Sequence, residues 1–134
     1  PGPPAELVDL DRLLAEADIV SLHMPPSPDG PSVTSEILSQ MKSDALLINT
    51  ARGALVDNDD LIAALESGQI GGAALDVVAG EPEIPAELVA STKTILTPHI
   101  AFSSRESVEE LRRRTAEDVV RVLRGEPPRN PFPG

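Results

Sequence analysis

Cysteine, tryptophan and tyrosine are all missing from this 134-residue chain, and phenylalanine occurs only twice. Without a thiol there is no disulfide framework and no thiolate-held metal. With so few rings, the core must be aliphatic, built from Leu, Ile, Val and Ala. Hydrophobic residues make up 40% of the chain, so such a core is expected. Positive charge is also scarce: 11 Lys and Arg stand against 22 Asp and Glu, a net charge of -11. That sign repels phosphates and disfavours nucleic acid as a partner. No apolar run reaches the length of a membrane span, and no signal-peptide pattern is present. A cytoplasmic protein with no membrane partner is the expectation.

The length suits one domain, able to bury roughly two-thirds of its unfolded surface. The opening Pro1-Gly2-Pro3-Pro4 reads as an extended linker. After it, helix and strand patterns alternate. Leu10, Leu13, Leu14 and Ala17 have helical spacing within Leu7–Ala17. Asp18–Leu22 reads as a strand, the proline-rich Met24–Pro31 as a loop and Thr34–Met41 as a short helix. Ala45–Asn49 is apolar on both faces, as in a central parallel strand. Asp57 and Gly68 bracket a helix with the usual cap chemistry. Gly71–Val78 reads as a strand of small residues, which implies a close neighbour to its backbone. A short helix near Ala86–Ala90 and a strand at Thr94–Leu96 follow. The longest helix is expected to start at Ser103, with Glu106 completing a capping box. It would bury Val108, Leu111, Thr115, Val119, Val122 and Leu123 and end at Gly125. Arg112-Arg113-Arg114, among Glu109, Glu110, Glu117 and Asp118, reads as a salt-bridged solvent face rather than a phosphate patch. No second domain is expected. Repeated β-α-β alternation predicts an α/β fold, with a parallel sheet, right-handed crossovers and helices on both faces.

Three polar groups follow apolar strands. Arg52 stands in the turn after Leu46-Leu47-Ile48-Asn49, Glu81 in Ala79-Gly80-Glu81-Pro82, and His99 in Thr97-Pro98-His99-Ile100-Ala101. In an open parallel sheet, such turns lie at the carboxyl edge, where ligands bind. An arginine there can grip a carboxylate through two parallel hydrogen bonds. Each group also has a plainer reading: a solvated turn for Arg52, an ordinary Glu-Pro loop for Glu81, a satisfied loop histidine for His99. Asp76 ends a buried strand, where a carboxylate either caps or meets a ligand. His23 is read as ordering its own loop and not as catalytic.

Five segments occur in order: Ser21-Leu22-His23-Met24-Pro25, Ile48-Asn49-Thr50-Ala51-Arg52-Gly53, Gly72-Ala73-Ala74-Leu75-Asp76-Val77, Glu81-Pro82 and Thr97-Pro98-His99-Ile100-Ala101. Together they resemble the NAD-dependent D-2-hydroxyacid dehydrogenases, from about Leu7 to Asn130. That family includes phosphoglycerate, glycerate, D-lactate and formate dehydrogenases and the C-terminal-binding-protein corepressors. The tail from Ala101 looks most like the corepressor branch, and Glu81 argues against a formate dehydrogenase.

The resemblance implies a Rossmann-type, doubly wound parallel sheet. It implies hydride transfer between NAD(H) and a small 2-hydroxy or 2-keto acid. Arg52 would bind the substrate carboxylate, His99 would be the general acid and base, and Glu81 would hydrogen-bond His99 and favour its protonated form. Asp76 would meet the nicotinamide carboxamide. His23, Pro25, Thr50, Ala51, Arg52, His99 and Ala101 would line the cofactor. A homodimer is the family's usual state. The alternatives are a corepressor-like NAD sensor, in which turnover is incidental, and an inert fragment.

The glycine-rich dinucleotide fingerprint and the ribose-reading acid are absent, as is most of a substrate domain. The chain therefore reads as the second part of a cofactor domain, residues 1–134, with 126–134 as a stub toward the substrate domain. In the strand order 3-2-1-4-5-6, counting the Ile19 strand as third and the Leu47 strand as fourth makes them non-neighbours. The Ile19 strand would then lack a ladder partner, and the segment alone would be poorly stable and inactive.

Overall fold

The computed structural model describes residues 5–129 and Pro131. The Pro1–Pro4 linker and most of the 130–134 tail lie outside the described residues. Contacts divide the chain into two units, one running to Ala101 and one starting at Phe102.

The first unit is a four-stranded parallel sheet: β1 (Ile19–Leu22), β2 (Leu46–Asn49), β3 (Gly72–Leu75) and β4 (Thr94–Leu96). Helices α1 (Leu10–Glu16), α2 (Ser35–Gln40), α3 (Asn58–Ser67) and α4 (Ala86–Ala90) alternate with the strands. The expected α/β class is thus present, with each element within a few residues of its expected span.

The strand order is β1-β2-β3-β4. Ile19 pairs with Leu46 and Leu22 with Asn49, which corrects the expectation that these strands are not neighbours. The counting was at fault. Strands laid side by side in chain order match the 4-5-6 side of a doubly wound sheet, not positions three and four. The order also decides which face is covered. Right-handed crossovers between strands added in one direction put every helix on the same face. Leu14, Leu38, Leu61, Leu65 and Leu88 from the four helices accordingly share one core with Val20, Leu22, Leu47, Ala73 and Leu75. On the opposite face Ile19, Leu46 and Ile95 are exposed, so the expected helices on both faces are not found in this unit.

Local chemistry sets the helix ends. The Asp9 carboxylate accepts from the Arg12 amide, so α1 starts at Leu10 rather than at Leu7. Asp57 caps α3 through the amides of Asp59 and Asp60, and Gly68 closes it at φ 76°. The small residues of β3 do mark a close approach. A Cβ on Gly71 would lie 2.6 Å from the Asp44 carbonyl oxygen, and one on Gly72 2.8 Å from that of Lys93.

The second unit contains α5 (Arg105–Leu123). Its capping box joins Ser104 and Ser107, not Ser103 and Glu106, because the chain turns into the helix one residue later. The expected buried stripe is not buried. No α5 residue is, and Leu111, Val119, Val122 and Leu123 are all exposed. Among the described residues the helix is the one regular element of its unit, and none of them buries the stripe. Arg113 pairs with Glu110 and Glu117, and Arg114 with Glu110, as a salt-bridged face requires. Gly125, at φ 78°, follows the end of the helix. Among the described residues, no helix is long and apolar enough to cross a membrane.

Candidate active site

Because β2, β3 and β4 are parallel, the segments leaving their carboxyl ends emerge on one edge of the sheet. Those segments carry Arg52, then Asp76 and Glu81, then Thr97 and His99. β2 and β4 flank β3, so their ends stand about 10 Å apart.

Asn49, fully buried, shapes the first of these turns. Its side-chain oxygen accepts from the Ala51 amide at 3.1 Å, and its Nδ2 donates to the Arg52 carbonyl at 2.9 Å. An asparagine can bond its own backbone two residues on, which gives the chain a turn without a second strand to pair with. Arg52 is exposed, with Nη1 donating to the Ala51 carbonyl at 2.6 Å. Among the described residues, its guanidinium bonds neither Glu81 nor His99. The turn then presses on the next loop at Gly53, where a Cβ would stand 2.3 Å from the Val78 carbonyl carbon.

Asp76 is 5% exposed and holds the last loop. Its Oδ1 accepts from the Thr97 hydroxyl at 2.5 Å and from the Ile100 amide at 2.9 Å, and its Oδ2 accepts from the Ala101 amide at 2.8 Å. Burial pushes this carboxyl upward. The bonds from Thr97, Ala101 and Ile100 and the nearby His99 charge outweigh burial, so the group titrates below the ordinary carboxylate range. The plainer reading of Asp76, as a backbone cap, is therefore realised in full. One lone pair remains on Oδ2.

His99 has a φ of 53°, the one left-handed non-glycine backbone among the described residues. Histidine tolerates this region better than most side chains, but the conformation still costs about 1–3 kcal/mol. The bonds from Asp76 to the amides that follow, and the His99 amide bonded to the Thr97 carbonyl at 2.9 Å, hold it there. In this pose His99 Nδ1 lies 2.8 Å from Glu81 Oε1, a pair about half exposed. Nδ1 is thereby occupied. A cavity of about 500 Å³ adjoins the pair, lined by Val78, Pro82, Ile84, Leu96 and Pro98 as well as by Asp76, Glu81, Thr97 and His99.

The sequence-predicted residues are thus distributed unevenly. Glu81 and His99 are in contact, and Asp76 and Ala101 are joined through a backbone bond. Thr50 is exposed and Ala51 partly buried on the same edge as Arg52. His23 and Pro25 are exposed beyond the end of β1, with His23 Nε2 2.9 Å from Ser21 Oγ, a local contact of the kind expected for it. Asn49, Thr97 and Asn58 were not singled out from sequence. The Asn49-Thr50 step after an apolar strand is the only signal that could have marked one of them.

In an open parallel α/β sheet the carboxyl edge, where the Glu81–His99 pair stands, is where ligands bind. Comparison with known proteins gives the family. The profile of the D-isomer specific 2-hydroxyacid dehydrogenase NAD binding domain matches residues 3–101, and the chain belongs to that family. It is 42% identical over 125 residues to a D-3-phosphoglycerate dehydrogenase of Synechocystis, covering 92% of this chain and 23% of that protein. It is 41% identical over 125 residues to a glycerate dehydrogenase of Methylorubrum extorquens, covering 90% of this chain and 40% of that one. The crystal structure of D-lactate dehydrogenase with NAD+ from Lactobacillus jensenii superposes with a TM-score of 0.86 at 35% identity, over 95% of this chain and 43% of that one. The chain spans less than half the length of these relatives.

Proposed function

We propose that this chain is the catalytic part of the cofactor domain of an enzyme that interconverts a small D-2-hydroxy acid and its 2-keto acid with NAD(H). The observation that carries this reading is the His99–Glu81 pair, 2.8 Å apart at the edge of the sheet. With Nδ1 bonded to the carboxylate, His99 offers Nε2 to the substrate oxygen and gives or takes its proton there. Negative charge grows on that oxygen as a ketone is reduced, so a proton donor and a cation placed at it favour the transition state over the ground state. Arg52 supplies the cation. Its guanidinium is exposed and, among the described residues, is held by one bond to the Ala51 carbonyl, which a substrate carboxylate can displace with two.

The residues present fit the nicotinamide end of NAD. The remaining lone pair on Asp76 Oδ2 suits a carboxamide N–H, and Thr50, Ala51 and Ala101 border the same edge. His23 and Pro25 would extend this lining past β1. The cofactor, when bound, supplies or accepts the hydride.

The test is turnover by the protein carrying this chain, with NADH and glyoxylate, hydroxypyruvate or pyruvate. His99→Gln is expected to lower kcat by about 10²–10⁴-fold. Arg52→Lys, which keeps the charge but loses the planar fork, is expected to raise KM. Unchanged kcat in the histidine variant would remove the assignment.

A further inference from the structure

Asn58 is the first residue of α3, and nothing above gives it a task. Its side chain turns away from the helix and donates from Nδ2 to the Ala79 carbonyl at 3.0 Å, a partly buried bond spanning 21 residues of sequence. The bare backbone of Gly53 lies against the preceding peptide, with a notional Cβ 2.4 Å from the Val78 oxygen and 2.5 Å from the Ala79 nitrogen. The two peptides that flank the Ala79 Cα are therefore each held at one point by the segment from Gly53 to Asn58. Ala79 leads through Gly80, at φ 86°, to Glu81, whose amide bonds back to the Val78 carbonyl at 3.3 Å. Glu81 in turn meets His99.

We infer that Asn58 is a positioning residue for His99, acting through Ala79 and Glu81. The Asn58 bond and the Gly53 contact join the turn that carries Arg52 and the loop that carries Glu81 into one rigid piece. The substrate-binding cation and the partner of the catalytic imidazole then keep a fixed relation. Glycine on both sides of the joint shows why a bond is needed there. Gly53 cannot interlock by a side chain, and Gly80 is the hinge at which the loop would swing once Ala79 is released. The inference rests on the dehydrogenase reading above for its kinetic consequence, but not for its geometric one.

The experiment compares Asn58→Asp and Asn58→Gln. Aspartate has the shape of asparagine, has lost the N–H donor and sets its charge against the Ala79 carbonyl. At the first position of a helix a carboxylate is favoured by the helix dipole, so folding is preserved. Glutamine keeps the donor on a longer arm. With NADH and glyoxylate, Asn58→Asp is expected to lower kcat about tenfold at a nearly constant KM, with Asn58→Gln recovering most of the loss. In proton NMR, the hydrogen-bonded Nδ1 proton of His99 is expected in the wild type and in Asn58→Gln and absent in Asn58→Asp. Loss of the signal in His99→Gln assigns it. An Nδ1 proton that persists in Asn58→Asp, or a kcat within about twofold of the wild type, overturns the inference. If the wild type turns over no keto acid, the dehydrogenase reading fails and the NMR arm still decides the role of Asn58.

Discussion

The carboxylate of Asp76 brackets His99, accepting from the Thr97 hydroxyl ahead of it and from the Ile100 and Ala101 amides behind it. A residue at the end of one strand thereby fixes a left-handed histidine beyond the end of its neighbour. Among the described residues those amides bond Asp76, which ties local stability to the charge state of its carboxyl.

The pH dependence follows with a definite sign. The folded form of Asp76 titrates below the ordinary value of 3.8, so its contribution is fully present above that pH and is lost as the pH falls through the lower folded value. Asp76→Asn is expected to be about 1–3 kcal/mol less stable than the wild type at neutral pH. The gap should narrow below pH 3.8. Urea melts of both proteins between neutral and acid pH measure it, and a constant gap would show that Asp76 does not carry the acid sensitivity.

Gly53→Ala tests the contact between the two loops. The added methyl carbon would fall 2.3 Å from the Val78 carbonyl carbon, a backbone atom that no rotamer change can move aside. A loss of about 1–3 kcal/mol is expected, together with a fall in kcat from displacement of Glu81. An unchanged urea midpoint would mean that the loops are free to separate.

The uncovered face of the sheet has its own consequence. Ile95 is 68% exposed on β4, a strand at the rim of the sheet in this unit. Exposed apolar edges promote pairing between chains, and a lysine there blocks it. Ile95→Lys is expected to reduce self-association in light scattering while leaving the circular dichroism spectrum unaltered. Equal scattering would place the cause elsewhere, with the exposed stripe of α5 the next surface to test.

Helix ends were legible in part: Asp9 and Ser104 start α1 and α5 later than the spacing suggests, while both ends of α3 were read correctly. Asp57 and Gly68 bracket α3 as written, because a cap is a bond to an amide only two or three residues away. Burial was less legible. Val119 and Val122 have the spacing of a core stripe, but spacing says only that a face is apolar, not that anything lies against it. Strand adjacency was misread for the same reason. Ile19 and Leu46 look alike whether or not they pair, and the pairing depends on the crossovers between them.

By itself, the sequence determined an aliphatic α/β chain, the alternation of its elements and the placement of Arg52, Glu81 and His99 after apolar strands, since these follow from composition, periodicity and residue order. Only the tertiary structure decided that Glu81 meets His99, that Asp76 grips the loop around it and that Asn58 reaches Ala79. Those bonds join residues 18 to 25 positions apart, and their geometry exists only once parallel strands bring their carboxyl ends to one edge.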